Sequence, residues 1–111
     1  MNNGAFTPFG PTVLVGTSEV QASSGSRNTG PTAYRIRNTS ASAQYISWSY
    51  APPNGATPTI AAPTAPTAGV PSPATLGFLP NSVEVIGGIP ANAFFKASAA
   101  GAFEVTPGEG L

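Results

Sequence analysis

The chain has 111 residues, of which only eight are charged, four basic and four acidic, so the formal net charge is zero; it contains no histidine and no cysteine. Charged side chains make up 7% of the sequence, against roughly 25% in an ordinary soluble domain, which leaves too little material for a basic nucleic-acid surface or an acidic tail. Disulfide frameworks, Cys/His zinc sites, thiol and Ser-His nucleophiles and imidazole acid–base chemistry are excluded with the missing residue types.

In chain order, residues 1–11 hold Gly4, Pro8, Gly10 and Pro11 together with Phe6 and Phe9. This composition predicts an extended N-terminal arm with two aromatic anchors, preceding a single domain over residues 12–111. Short strands are predicted at 12–15 and 20–23, read like the later ones as segments bounded by Gly, Pro or Asn. At 34–38 the apolar Tyr34 and Ile36 alternate with Arg35 and Arg37, the period of a half-buried strand. The run 44–50 repeats the pattern, with Ile46, Trp48 and Tyr50 on one face and Ser47 and Ser49 on the other. A hairpin through residues 39–42 is the expected link between these two strands.

Residues 51–80 carry eight of the thirteen prolines, no charge, and Ala-Pro-Thr units such as Ala62-Pro63-Thr64. Such a stretch favours extended, polyproline-like backbone. It also holds Ile60, Val70, Leu76, Phe78 and Leu79 as apolar anchors. A structureless loop of this length is uncommon in a compact domain, so it is expected to project and to be ordered in part by a partner. Strands follow at 82–86, 93–98 and 101–106, while Gly87-Gly88 and Pro107-Gly108 read as turns.

Helical patterning is absent because Pro and Gly recur too often. About seven short strands at this spacing predict an all-β fold, a small β-sandwich or jelly roll. Strand parity places Ile36, Ile46, Trp48, Val83, Val85, Phe103 and Val105 in the core and turns Glu84 and Glu104 outward. No apolar stretch reaches the roughly 18 residues of a membrane span. The first sixteen residues carry no charge, unlike the basic start of a secretory signal, so synthesis and use without export are expected.

The four carboxylates, Glu19, Glu84, Glu104 and Glu109, show no spacing that makes two of them converge as a glycosidase pair. No catalytic, cofactor or metal residue is assigned, and no small-molecule substrate is expected. Tyr45, Trp48 and Tyr50 could form a sugar platform if exposed together, but the parity of Trp48 and Tyr50 with Ile46 favours the core. Arg27, Arg35 and Arg37 could bind carboxylates across an interface, or simply solvate a strand face. Residues 1–55 carry a net +2 (three Arg, one Glu) and 56–111 a net −2 (one Lys, three Glu); pairing within the sandwich or between subunits explains this equally well. Asn38-Thr39-Ser40 matches a glycosylation sequon but is discounted, since nothing else indicates the secretory pathway. So little charge favours self-association or a docked subunit over a free monomer.

The pattern Tyr34-Arg35-Ile36-Arg37-Asn38, a second strand ending at Trp48, Ser82-Val83-Glu84-Val85 and the closing Phe103-Glu104-Val105-Thr106-Pro107-Gly108-Glu109-Gly110 resembles small structural proteins of tailed bacteriophages. The resemblance covers residues 31–50 and 82–111, and the Val-Thr-Pro-Gly-Glu-Gly phrase is its most specific part. It implies a non-enzymatic head decoration or cement protein, made in the bacterial cytoplasm and carried on the virion capsid surface. Its partner would be the major capsid protein, bound as a homo-oligomer or as lattice-held copies, without nucleic acid or membrane. The alternative is a receptor- or carbohydrate-binding module of the tail or fibre. Phe6, Phe9, Arg27, Arg35, Arg37, Ile60, Val70, Leu76 and Phe78 are the interaction candidates.

Overall fold

The computed structural model describes residues 6–23 and 31–109, and no helix occurs among them. Among the described residues nine strands form: β1 (Thr7–Pro8), β2 (Val13–Val15), β3 (Val20–Gln21), β4 (Pro31–Asn38), β5 (Gln44–Ser49), β6 (Leu76–Phe78), β7 (Val83–Pro90), β8 (Phe94–Ala97) and β9 (Phe103–Glu109). One sheet runs β1-β9-β4-β7, with β2 also on β9; the other runs β3-β8-β5-β6. Every pairing between these strands is antiparallel. The pairs β2·β9, β3·β8, β4·β7 and β5·β6 nest inside one another, as a long hairpin rolled over on itself. This is the strand order of a jelly roll, in which two sheets bury their inner faces against each other.

The core follows period 2 on most strands. Val15, Tyr34, Ile36, Phe103 and Val105 from the first sheet meet Ile46, Phe78, Phe95 and Ala97 from the second, all buried. Tyr34 packs edge-on to Phe95 at 5.0 Å between ring centres, and Phe78 does the same to Phe103 at 5.2 Å, an arrangement that sets a positive ring edge against a negative ring face. The Tyr34 hydroxyl keeps its polarity satisfied by donating to the Pro90 carbonyl at 2.6 Å and accepting from the Ala93 amide. Trp48 is half-buried and packs against this core, 6.3 Å from Phe95.

The structure corrects several expectations. β4 and β5 do not form a hairpin, because they belong to different sheets. Their connection turns a corner held by Asn38, which is wholly buried. Its amide donates to the carbonyls of Ser42 and Leu79, both at 3.0 Å, and its Oδ1 accepts from the Ser40 amide at 2.9 Å. Burial of this side chain also removes the sequon Asn38-Thr39-Ser40 from glycosylation in the folded protein.

On β7 the parity is inverted. Ile36 stands opposite Glu84, and Arg35 and Arg37 stand opposite Val85 and Val83, so the two valines face outward and Glu84 lies on the core side. Glu84 still reaches solvent, since β7 is an edge strand. The cause is a bulge: Thr32 pairs Ile89 while Tyr34 pairs Ile86, leaving Gly87 and Gly88 opposite Ala33. Gly88 has φ +84°, a conformation open to glycine without a Cβ clash. The extra residue turns both Ile86 and Ile89 inward, so the larger side chains displace the valines from the core. Gly87-Gly88 is therefore a bulge and not a turn, and Pro107-Gly108 lies within β9. Tyr50, expected inward, is 64% exposed.

Candidate functional site

Three surfaces gather the polar and apolar groups left outside the core. The first is the outer face of the β1-β9-β4-β7 sheet. Strand register aligns Leu14, Glu104, Arg37 and Val83 in one row across β2, β9, β4 and β7. A second row runs Thr106, Arg35, Val85, extended by Thr12, whose hydroxyl lies 2.6 Å from that of Thr106. Arg37 and Glu104 form an ion pair at 3.1 Å, both about two-fifths exposed, so the pair adds little to stability. Arg35 is exposed and its guanidinium has no ion pair or hydrogen bond among the described residues. Leu14 and Val83 are 60% and 41% exposed. This face is thus an apolar and hydroxyl-bearing surface with one guanidinium free to bond.

The second surface is the outer side of the β3-β8-β5-β6 sheet, where the proline-rich segment lies as a strap. Ile60 and Pro63 are buried beneath it. Lys96, outward on β8, donates from Nζ to the Ile60 carbonyl at 2.9 Å and to Glu19 Oε2 at 3.3 Å, while the Ile60 amide donates to the same carboxylate oxygen at 2.9 Å. Both ionic side chains are less than one-fifth exposed. The Ile60 amide, then Glu19's own amide and, more weakly, Lys96 hold the Glu19 carboxyl below its ordinary pKa. Ser47, outward on β5 yet 4% exposed, donates to the Ala74 carbonyl and fastens the far end of the strap. At its tip Thr67 and Val70 exchange two backbone hydrogen bonds around Gly69, at φ +78°.

The third surface is a pair of clefts between strap and sheet. β6 covers β5 only as far as Ile46, so among the described residues Ser47, Trp48 and Ser49 have no strand beyond them on that side. One cleft of about 350 Å³ is lined by Ile46, Ser47, Trp48, Ala74, Thr75 and Leu76. A second of about 230 Å³ adjoins it, sharing Ser47, Trp48 and Ala74 and adding Thr59 and Ile60 among others. Among the described residues no acid or base lines either one.

The interaction candidates are scattered over these surfaces. Arg27 lies outside the described residues. Phe6 and Phe9 are half-buried on their own sheet: β1 pairs with β9, the Phe9 amide donates to the Pro107 carbonyl, and the Phe6 ring lies where a Cβ on Gly108 would sit. Arg35 and Arg37 share the outer face just described. Ile60 is held under the strap and Val70 is exposed at its tip, 63% accessible. Leu76 and Phe78 form β6 inside the segment read as loop, half-buried and buried respectively. Tyr45 lies over Gly77 on the outer side of β5, opposite in parity to Trp48, so Tyr45, Trp48 and Tyr50 make no common platform. Sequence reasoning missed Leu14, Thr12 and Thr106, the Glu19–Lys96 latch and the Trp48 cleft. Each depends on partners 27 to 94 residues away, and no local pattern signals them. Among the described residues no three or more metal-ligating side chains cluster. Comparison with known protein families, characterised proteins and solved structures finds no match to this chain.

Proposed function

We propose that this protein is a non-enzymatic structural protein of a bacteriophage virion, a head decoration or cement subunit that docks on the major capsid protein and bridges neighbouring capsid subunits. The observation that carries this reading is the outer face of the β1-β9-β4-β7 sheet. It offers Leu14, Val83 and Val85 for apolar contact, the exposed Thr12 for hydrogen bonding and the unpaired Arg35 guanidinium for a carboxylate or carbonyl on the partner. Two further features support it. A chain with 7% charged residues and zero net charge has little to keep it apart from other proteins, and the phage resemblance of residues 31–50 and 82–111 points the same way. Docking through this face leaves the strapped sheet turned to the exterior. Lattice-bound copies gain from multivalency, since each subunit touches more than one capsid protein.

Attachment of this kind rests mainly on apolar and hydrogen-bonded contact. The Debye length falls from about 10 Å at 0.1 M salt to about 3 Å at 1 M, whereas apolar burial is not screened. Purified virions incubated in about 1 M NaCl should keep the protein, and electron cryomicroscopy should show Leu14, Arg35 and Val83 against the shell. Wholesale release in salt, or density for the protein facing the shell with the strapped sheet, overturns the docking model.

A further inference from the structure

The Trp48 clefts have a composition that selects a ligand class. They are lined by Trp48 with Ile46 and Leu76 and by the hydroxyl-bearing Ser47, Ser49, Thr59 and Thr75. Among the described residues no charged side chain lines either cleft, so an ionic ligand would leave water without a partner for its charge, at a cost that disfavours it. A purely apolar ligand fits no better. Thr75 Oγ1 is buried with no hydrogen-bond partner, and Thr59 is exposed with none. The unmet Thr75 hydroxyl favours a ligand able to accept or donate to it. Thr75 Oγ1 is shielded in the present rotamer, and a change of staggered χ1 state exchanges it with other substituents on its Cβ.

We infer that this groove binds a neutral saccharide, one pyranose ring resting on Trp48 in the larger cleft and the next residue of the chain extending into the smaller one. Sugar rings present an apolar C–H face to an aromatic ring and a rim of hydroxyls to Ser and Thr. The two clefts share Ser47, Trp48 and Ala74, so they adjoin on either side of the Ser47–Ala74 hydrogen bond. The strap makes half of this site: Thr59, Ala74 and Thr75 belong to it, and the Ser47–Ala74 hydrogen bond holds it at the cleft. The site lies on the opposite sheet from the proposed docking face, and it stands whether or not the protein is carried on a capsid.

Trp48 is the only tryptophan in the chain, so its emission reports the site directly. Isolated protein is titrated with the methyl glycosides of glucose, galactose, mannose and N-acetylglucosamine and with the corresponding neutral disaccharides, following Trp48 fluorescence and backbone amide shifts by NMR. The expected result is saturable binding, roughly millimolar for one ring, tighter for a disaccharide, with shifts confined to residues 46–49, 59–61 and 73–76. Thr75→Val, which keeps the shape and removes the hydroxyl, should weaken it about fivefold, the equivalent of one neutral hydrogen bond. The NMR spectrum shows directly whether that variant is folded. Absence of saturable change with every sugar, shifts elsewhere on the protein, or unchanged affinity in a folded Thr75→Val protein overturns the proposal. A failure here leaves capsid docking untouched, because the titration contains no capsid.

Discussion

Asn38 should be among the most sensitive positions in the domain. It is fully buried at the corner where the chain leaves one sheet for the other. Its side chain makes three short hydrogen bonds, to the carbonyls of Ser42 and Leu79 and from the amide of Ser40, with the Phe78 carbonyl a longer fourth partner at 3.4 Å. At about 1 kcal/mol net for each short bond, Asn38→Ala should cost about 3 kcal/mol, a large part of the roughly 5 to 15 kcal/mol that holds a small domain together. The midpoint of thermal unfolding should fall by roughly 10 to 20 °C. Asn38→Leu keeps the volume and should be destabilised to a similar degree, which separates lost hydrogen bonds from a cavity. Asn38→Asp adds a pH signature. Its introduced carboxyl faces carbonyl oxygens in a buried site, so its folded-state pKa lies above its unfolded value. The variant's deficit relative to the parent should therefore be smallest at acid pH, grow as pH rises above about 3.9, and level off once the folded carboxyl is ionised. Urea unfolding followed by Trp48 fluorescence measures all three. Asn38→Ala or Asn38→Leu within about 0.5 kcal/mol of the parent, the range of ordinary surface changes, would refute the corner argument.

The inverted parity of β7 can be tested directly: Ile36→Ala should cost about 2 to 5 kcal/mol, whereas Val83→Ala should stay within about 0.5 kcal/mol, and a Val83 cost equal to that of Ile36 would return the valines to the core. The Glu19–Lys96 latch should be acid-labile. Because the Glu19 pKa is lowered in the fold, its contribution is complete above the ordinary glutamate range, near roughly 4.3, and is lost as pH falls through that range and the folded pKa. The Ile60 amide resonance should move over this interval in the parent and stay still in Glu19→Gln, and identical titrations in the two would exclude the latch.

Fold class was legible in the residues alone, because alternation is a local property. Tyr34, Ile36, Ile46, Phe103 and Val105 all lie in the core on the parity read from their own strands. Zero net charge and the absence of His and Cys are properties of composition, and they narrow the chemistry open to this chain whatever its fold. Long-range packing, in contrast, chose which face of each strand meets which neighbour. Adjacent strands in sequence looked like a hairpin, yet Asn38 bonds the carbonyls of Phe78 and Leu79 about forty residues away as well as that of nearby Ser42, and β5 lies in the other sheet. Val83 and Val85 alternated as core residues do, but a two-glycine bulge placed Ile86 and Ile89 inside instead. The proline-rich segment carried apolar anchors without a visible target. Its target is the outer face of its own domain, held by one lysine and one glutamate 77 residues apart. Register, bulges and long-range polar bonds are set by the total burial and hydrogen bonding of the folded chain, which a window of local sequence does not contain.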